Sequence, residues 1–311
     1  MCTALHVHGC FGRTLDLEYT YVEQVVATPR DFPLRWRHLP ALEHHHAILG
    51  MATVAEGYPL YYDAVNERGL AMAGLNFPHS GRYVPAAEGA TNVASFELIP
   101  YVLSQCATVA EAKALLATVR VCDTAFSPQY PATRLHWMAA DTERSIVAES
   151  TADRLAVYDN PIGVMTNEPP FPFQLARWKE FTRLTPYEPD PTPPQWGRGS
   201  GGLGLPGDFT SPSRLVRAAF AAAHSEAGDD PVGQFFHAMA TVAVPRGCVR
   251  LTDGSRVLTQ YTSCMDLVQR VYYYRTYRCQ RIHGVKLADL DGDDLITYPL
   301  PTAEDVKWEN E

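Results

Sequence analysis

No apolar run in the 311 residues reaches the ~20 residues that a membrane-spanning helix needs. No C-x-x-C pair occurs, and the seven cysteines (Cys2, Cys10, Cys106, Cys122, Cys248, Cys264 and Cys279) are odd in number and widely spaced. That pattern argues against a disulfide framework and against a structural zinc site. Basic blocks are missing as well, and the net charge is −9. The concentrated Lys/Arg footprint that nucleic acid requires is therefore absent. The start of the chain shows neither the basic nor the apolar region of a secretory leader. The expectation is a soluble, cytoplasmic protein with no nucleic-acid or membrane partner.

What is present is an ordinary globular balance, 46% hydrophobic and 20% charged, able to bury a sizeable core. Strand patterns run over 3–8, 20–28, 46–54 and 69–76. Helical spacing follows in FELIPYVLSQC and TVAEAKALLATV, with Thr108 placed as N-cap of the second. Strands return at RLHWMAAD, SIVAES, RLAVYD and IGVMTN. Helical patterns then cover 212–227 and 230–243, and VLTQYTSCMDL and RVYYYRTYR read as strands. Strand runs alternate with helical blocks without repeated βαβ units, which predicts an α+β fold with mainly antiparallel sheets. There is no internal repeat. The Pro- and Gly-rich stretch 185–207 contains Trp196 and Leu203 and reads as an ordered excursion within one domain spanning 1–311.

Three motifs fail their chemical tests. Gly199 to Gly204 match G-x-G-x-x-G, but a dinucleotide site needs a strand before and a helix directly after, so a tight loop is expected. Asp289 to Asp294 suggest calcium, yet the glycine falls at the fourth position of the loop and Leu300 stands where the bidentate Glu belongs. A polar turn is expected there. His44, His45 and His46 alternate faces in an extended segment and cannot converge on a metal, which leaves a surface turn entering a strand at Ala47. His136, in LHWM, reads as a packed strand histidine.

Cys2 is different, because its chemistry follows from its position. Methionine is commonly trimmed ahead of a small second residue. Loss of Met1 would leave a thiol and a free α-amine on one residue, a nucleophile with its own general base. If TALHV turns at His8-Gly9 and returns as CFGRTLD, Val7 pairs with Cys10, Ala4 with Arg13 and Cys2 with Leu15. Cys2 and Arg13 then share a face as diagonal neighbours, about 7–8 Å apart at Cα. A guanidinium there would favour a thiolate. Asp16, one residue beyond the partner of Cys2, would face away in a regular strand and could reach the amine only through a bend. Taken alone, Arg13 and Asp16 also fit ordinary surface charges after a hairpin.

The stretches MCT, FGRTLDLEY, GYPLYYDAVNERGLAMAGLNFP, LHWM, IGVMTNEP, GGLGLPGDFTSPSRLVRAAF and LTQYTSCM, in this order along almost the whole chain, resemble the choloylglycine hydrolase family. These are N-terminal-nucleophile hydrolases comprising bile salt hydrolases and penicillin V acylases. The resemblance implies a four-layer αββα sandwich and hydrolysis of a linear amide, with Cys2 as nucleophile and its own amine as base. Arg13 and Asp16 would frame the nucleophile and fix the amine. Asn76 and Asn167 would orient the amine and form the oxyanion hole, and Arg214 would be a second arginine near the thiol. In that family the position of Asn76 tends to be Asn in bile salt hydrolases and Tyr in penicillin V acylases, so conjugated bile salts are the expected substrate. Leu15, Phe126 and Tyr130 resemble pocket-lining positions, with loop packing as the alternative reading of the two aromatics. No metal or organic cofactor is expected, and the family implies a homotetramer. The loop between Cys2 and Arg13 is several residues shorter than is usual in the family. Penicillin V or N-acyl-homoserine lactone acylase activity is the alternative within the class. A non-catalytic binding protein that keeps the fold is the alternative outside it, should Met1 be retained.

Overall fold

The chain opens on the hairpin that its pattern predicts. Strands β1 (Cys2–Val7) and β2 (Cys10–Leu17) pair antiparallel, with Cys2 opposite Leu15, Ala4 opposite Arg13 and Val7 opposite Cys10. His8 and Gly9 both take positive φ, 55° and 72°. A type I′ turn requires this of its two central residues, and its twist matches that of the flanking strands. The register thus follows from a two-residue turn.

The computed structural model describes residues 1–152, 154–191, 198–287, 292–303, 306 and 308–309. Trp196 in the Pro/Gly-rich stretch, and Asp289, Leu290 and Asp291 of the acidic turn, lie outside the described residues. The strands continue with β3 (Gln24–Thr28), β4 (Ile48–Ala55), β5 (Tyr58–Asn66), β6 (Ala71–Asn76), β7 (Thr91–Ala94) and β8 (Val119–Cys122). Next come β9 (Leu135–Ala140), β10 (Ser145–Ser150), β11 (Leu155–Asp159), β12 (Val164–Met165) and β13 (Val249–Arg250). The last are β14 (Arg256–Asp266), β15 (Val271–Thr276), β16 (His283–Lys286) and β17 (Ile296–Pro299). The helices are α1 (Leu98–Leu103), α2 (Val109–Leu116), α3 (Phe171–Lys179), α4 (Ser211–His224) and α5 (Pro231–Ala240).

One sheet runs β12-β1-β2-β14-β15-β16, with β13 on the edge of β14, and the other β11-β10-β9-β6-β5-β4-β3-β17. Every pairing in both is antiparallel; β7 and β8 form a small parallel pair apart. Alternation along the strands explains the stacking. Cys2, Ala4, Phe11 and Leu15 meet Met51, Leu75 and Met138 of the other sheet in a core between the two. Leu5 and Cys10 face the opposite way, onto Leu215, Ala219, Phe235 and Met239 of α4 and α5. On the far side, Ile48, Met72 and Trp137 pack on Leu98, Val102, Ala112 and Leu116 of α1 and α2. The result is the αββα sandwich with mainly antiparallel sheets.

Local signals act as their chemistry predicts. The Thr108 hydroxyl accepts from the Glu111 amide at 3.2 Å and caps α2, a contact worth ~1 kcal/mol. The Gly199–Gly204 stretch is a loop with three glycines at positive φ, and the next helix starts only at Ser211. His44, His45 and His46 engage separate partners: Asp31, the Phe32 and His46 carbonyls, and Glu67. His136 is a packed strand histidine, stacked 4.3 Å from Phe77 with Nδ1 2.9 Å from Glu149. Two differences have physical causes. The strand expected over 20–28 begins at Gln24, because the Glu23 carboxylate accepts from the Thr20 hydroxyl and the Tyr21 amide and holds a turn there. The pattern also misses β5. Strand β5 is largely buried on both faces, so its sequence LYYDAV shows no polar alternation.

Candidate active site

Cys2 starts β1 between two neighbours, β2 on one side and β12 on the other. Its side chain points into the inter-sheet core, and it is 1% exposed at the floor of a cleft. Arg13 lies on the same face of β2, and its Nη2 donates to Cys2 Sγ at 2.6 Å. The rest of that guanidinium is held by backbone carbonyls: Nε by Thr14 at 3.1 Å, Nη1 by Gly74 at 2.5 Å and Tyr62 at 3.4 Å. Three neutral carbonyls fix the fork, and among the described residues no carboxylate pairs with it at contact distance. Burial works against that charge, but Cys2, Tyr261, Asp63 and Asp16 together raise the Arg13 pKa above the usual arginine value.

Behind Arg13, the Asp63 carboxyl on β5 accepts from the Tyr261 and Tyr272 hydroxyls, each at 2.6 Å. Burial pushes its pKa up, opposed by Arg13 and by these hydroxyls. The close approach of β2 to β14 beside Arg13 depends on Gly12, where a Cβ would fall 2.1 Å from the Ser263 carbonyl oxygen.

The other flank of Cys2 is its backbone. The Cys2 nitrogen donates to Asn167 Oδ1 at 2.7 Å. The same oxygen accepts from Arg214 Nη2 at 2.8 Å, and Asn167 Nδ2 donates to the Asn76 carbonyl at 2.8 Å. Both lone pairs of Asn167 Oδ1 and one Nδ2 hydrogen are therefore engaged in holding the chain around Cys2. Asn76, at the end of β6, lines the cleft, and among the described residues its own carboxamide has no hydrogen-bond partner. The two asparagines, interchangeable in the sequence, are chemically distinct in place.

Arg214 reaches from α4 to the Cys2 carbonyl oxygen at 2.5 Å and the Thr3 hydroxyl at 2.6 Å, rather than to the sulfur. Burial lowers its pKa, with Asp16 and Cys2 opposing. Asp16 does not bend toward the Cys2 nitrogen, which donates to Asn167 instead. It stays in the ladder, its amide donating to the Met1 carbonyl at 2.9 Å while the Met1 amine donates to its carbonyl at 2.6 Å. Alternation directs its carboxylate to the α4 side, where it accepts from Thr14 at 3.1 Å and Thr259 at 2.7 Å and lies 4.0 Å from Arg214 Nη1. The irregularity falls on the partner strand instead, a bulge between Thr259 and Tyr261.

The cleft above the sulfur encloses about 980 Å³ with its mouth included. Leu15, Phe126 and Tyr130 line it, as do Leu17, Tyr21, Tyr62 and Phe96, which the sequence pattern does not distinguish. Phe126 also packs with Ala55 and Tyr58, so wall and loop packing are one structure. Phe126 stands edge-on to Phe96 at 5.3 Å and to Tyr130 at 6.1 Å. Arg37 braces this wall, 5.1 Å over the Phe126 ring with Nη2 donating to the Phe126 carbonyl at 2.8 Å. A buried thiol beside a fixed cation, under an apolar channel with one free carboxamide on its rim, is equipped for acyl transfer from an apolar acyl group.

Residues 2–298 match the model of linear amide C–N hydrolases of the choloylglycine hydrolase family. The chain is 42% identical to a bile salt hydrolase/transferase of Lactiplantibacillus plantarum, over 96% of this chain and 97% of that protein. It superposes on the C2A mutant of conjugated bile acid hydrolase from Clostridium perfringens with a TM-score of 0.93, 35% identity and full coverage of both chains. The penicillin V acylase of Agrobacterium tumefaciens shares the fold, with a TM-score of 0.76 at 20% identity over 96% of this chain and 91% of that one.

Proposed function

The chain belongs to the choloylglycine hydrolase family of linear amide C–N hydrolases, and from that premise we propose that it releases glycine or taurine from conjugated bile salts through Cys2. The observation that carries the mechanism is the Cys2 sulfur at the floor of an apolar cleft, 2.6 Å from the Arg13 guanidinium. Once Met1 is removed, the Cys2 nitrogen is an α-amine lying against Asn167 Oδ1. That amine takes the thiol proton, and the sulfur attacks the amide carbonyl while Arg13 holds it by a charge-assisted hydrogen bond. The free Asn76 carboxamide faces the developing oxyanion. Collapse of the tetrahedral adduct breaks the C–N bond, the amine delivering its proton to the leaving glycine or taurine nitrogen. Water then cleaves the thioester, its proton going to the same amine. Asp16 acts on this centre through Arg214, whose Nη1 holds the Cys2 carbonyl.

The aromatic and aliphatic wall formed by Leu15, Phe96, Phe126 and Tyr130 suits the flat apolar body of a steroid acyl group. We take residues 1–311 to act as one catalytic domain, a reading supported by the pairing of β17 with β3, which brings the C-terminal strand back onto an early one. The free thiols of Cys2, Cys10, Cys106, Cys122, Cys248 and Cys264 suit the reducing cytoplasm. No helix among the described residues is long and apolar enough to cross a membrane. A homotetramer is the proposed assembly, open to light scattering.

Intact mass comes first: loss of Met1 is expected in active protein, and full turnover by a chain that retains Met1 would exclude the amine as base. Release of glycine and taurine from conjugated bile salts is then measured beside penicillin V cleavage. Turnover of penicillin V without turnover of bile salts would overturn the substrate assignment.

A further inference from the structure

Asn167 holds the Cys2 nitrogen with its side chain, but its own backbone must be held in turn. Gln174, near the middle of α3 and 1% exposed, reaches back to it. Its Nε2 donates to the Asn167 carbonyl and to the Pro169 carbonyl, both at 2.8 Å. Its Oε1 accepts from the Thr166 amide at 3.1 Å and the Thr166 hydroxyl at 3.3 Å. A glutamine amide has two donors and two acceptor lone pairs, and here all four are engaged. They clasp the chain on both sides of Asn167. The contacts extend further: the Thr166 hydroxyl accepts from the Ser211 hydroxyl at 2.9 Å, and Ser211 opens α4, one helical turn before Arg214. A single relay, Gln174–Thr166–Ser211, thus ties the segment bearing Asn167 to the helix bearing Arg214. These two side chains hold the nitrogen and the carbonyl of Cys2.

We infer that Gln174 is a positioning residue for the reaction, acting with Thr166 and Ser211 to keep Asn167 and Arg214 in place around Cys2. The inference rests on the assignment of Cys2 as nucleophile. Only an amide satisfies the relay: Glu supplies no donors and brings a buried charge, while an apolar side chain leaves two carbonyls and an amide unpaired. Neither Gln174 nor its hydrogen-bond partners Thr166, Asn167 and Pro169 are among the described residues lining the cleft, so its loss should act on turnover rather than on substrate binding. A misplacement near 1 Å at a reacting group costs up to ~100-fold in rate.

The test compares Gln174→Met, Thr166→Val, Thr166→Ser and Ser211→Ala with the parent, each with Met1 removed. Readouts are kcat and KM for hydrolysis of a glycine-conjugated bile salt, melting temperature, and the rate of Cys2 alkylation by iodoacetamide. Gln174→Met and Thr166→Val are expected to lower kcat ~10–100-fold with KM within about threefold of the parent. Thr166→Ser, which keeps the hydroxyl, is expected to retain most of the activity. Ser211→Ala removes one link at a partly exposed position and is expected to lose several-fold in kcat with a near-parental melting temperature, so it carries the test should Gln174→Met fail to fold. Parental kcat in Ser211→Ala together with Thr166→Val, or a lowered melting temperature with unchanged kcat in Gln174→Met, would overturn the inference. If the parent turns over no bile salt, the substrate assignment falls and alkylation decides the rest. An altered Cys2 rate in the relay variants supports positioning, and parental rates refute it.

Discussion

Replacing Asn76 by Ala removes one carboxamide and nothing else that the structure uses. The Asn76 backbone carbonyl, which accepts from Asn167 Nδ2 at 2.8 Å, survives the change, as does the pairing of residue 76 with Leu135 across β6 and β9. The deleted amide is half-buried on the cleft and has no hydrogen-bond partner among the described residues, so no buried group is left unsatisfied. Folding stability should therefore stay within about 0.5 kcal/mol of the parent. Catalysis is a different matter. Asn167 Oδ1 and one of the two Nδ2 hydrogens are already engaged, and Arg13 is occupied by the sulfur and three carbonyls. The Asn76 amide, on the cleft and unpaired among the described residues, is the donor proposed for the oxyanion. Removing such a donor costs ~2.7–4 kcal/mol of transition-state stabilisation, a drop of ~10²–10³ in kcat with little change in KM. Initial rates of glycine release, paired with thermal melts of the same preparations, measure both quantities. Activity within tenfold of the parent would refute the division of roles between the two asparagines. Asn167→Ala provides the contrast. It leaves the Cys2 nitrogen and Arg214 Nη2 without their acceptor, so stability should fall by ~1–3 kcal/mol for each buried group left unpaired, along with activity.

Gly12→Ala should destabilise the fold by ~1–3 kcal/mol or more in urea unfolding, since its Cβ would sit 2.1 Å from the Ser263 carbonyl oxygen of the neighbouring strand; unchanged stability would show that β2 and β14 can separate freely. Burial raises the Asp63 pKa, so the folded state holds that proton more tightly than the unfolded state. Its contribution to stability is then fully present below the unfolded value of about 3.9 and is lost as pH rises through the folded value. The melting temperature of the parent minus that of Asp63→Asn should accordingly fall as pH rises above about 4, and a flat or rising difference would contradict the shift. Burial, aided by Glu111, pushes the Cys106 thiol up to about 11, whereas Cys248 is exposed. Iodoacetamide at pH 8 followed by peptide mapping should label Cys248 and leave Cys106 unmodified in the folded protein; labelling of both at similar rates would count against it.

How far the site can be read before the structure depends on what kind of interaction fixes each residue. The Cys2–Arg13 contact follows from a two-residue turn, because His8 and Gly9 set the register and the register sets the faces. The Thr108 cap and the periodic helices α4 and α5 are local in the same sense. The same alternation that brings Arg13 to the thiol carries Asp16 to the other side of the sheet, where it meets α4 instead. Asn167, Asn76 and Arg214 converge through non-local packing, so only the resemblance to a known family connects them beforehand. What no pattern of residue types contains is which lone pair or N–H remains available once the neighbours are in place. Asn76 and Asn167 carry the same carboxamide, and only the occupancy of its atoms separates an unpaired amide on the cleft from a brace around Cys2. The same holds for Gln174, which reads as one polar residue in a short helix until its four partners are counted. Asp63 did leave a trace, a carboxyl in the apolar run LYYDAV, and a buried acid of that kind must be hydrogen-bonded, as it is by Tyr261 and Tyr272.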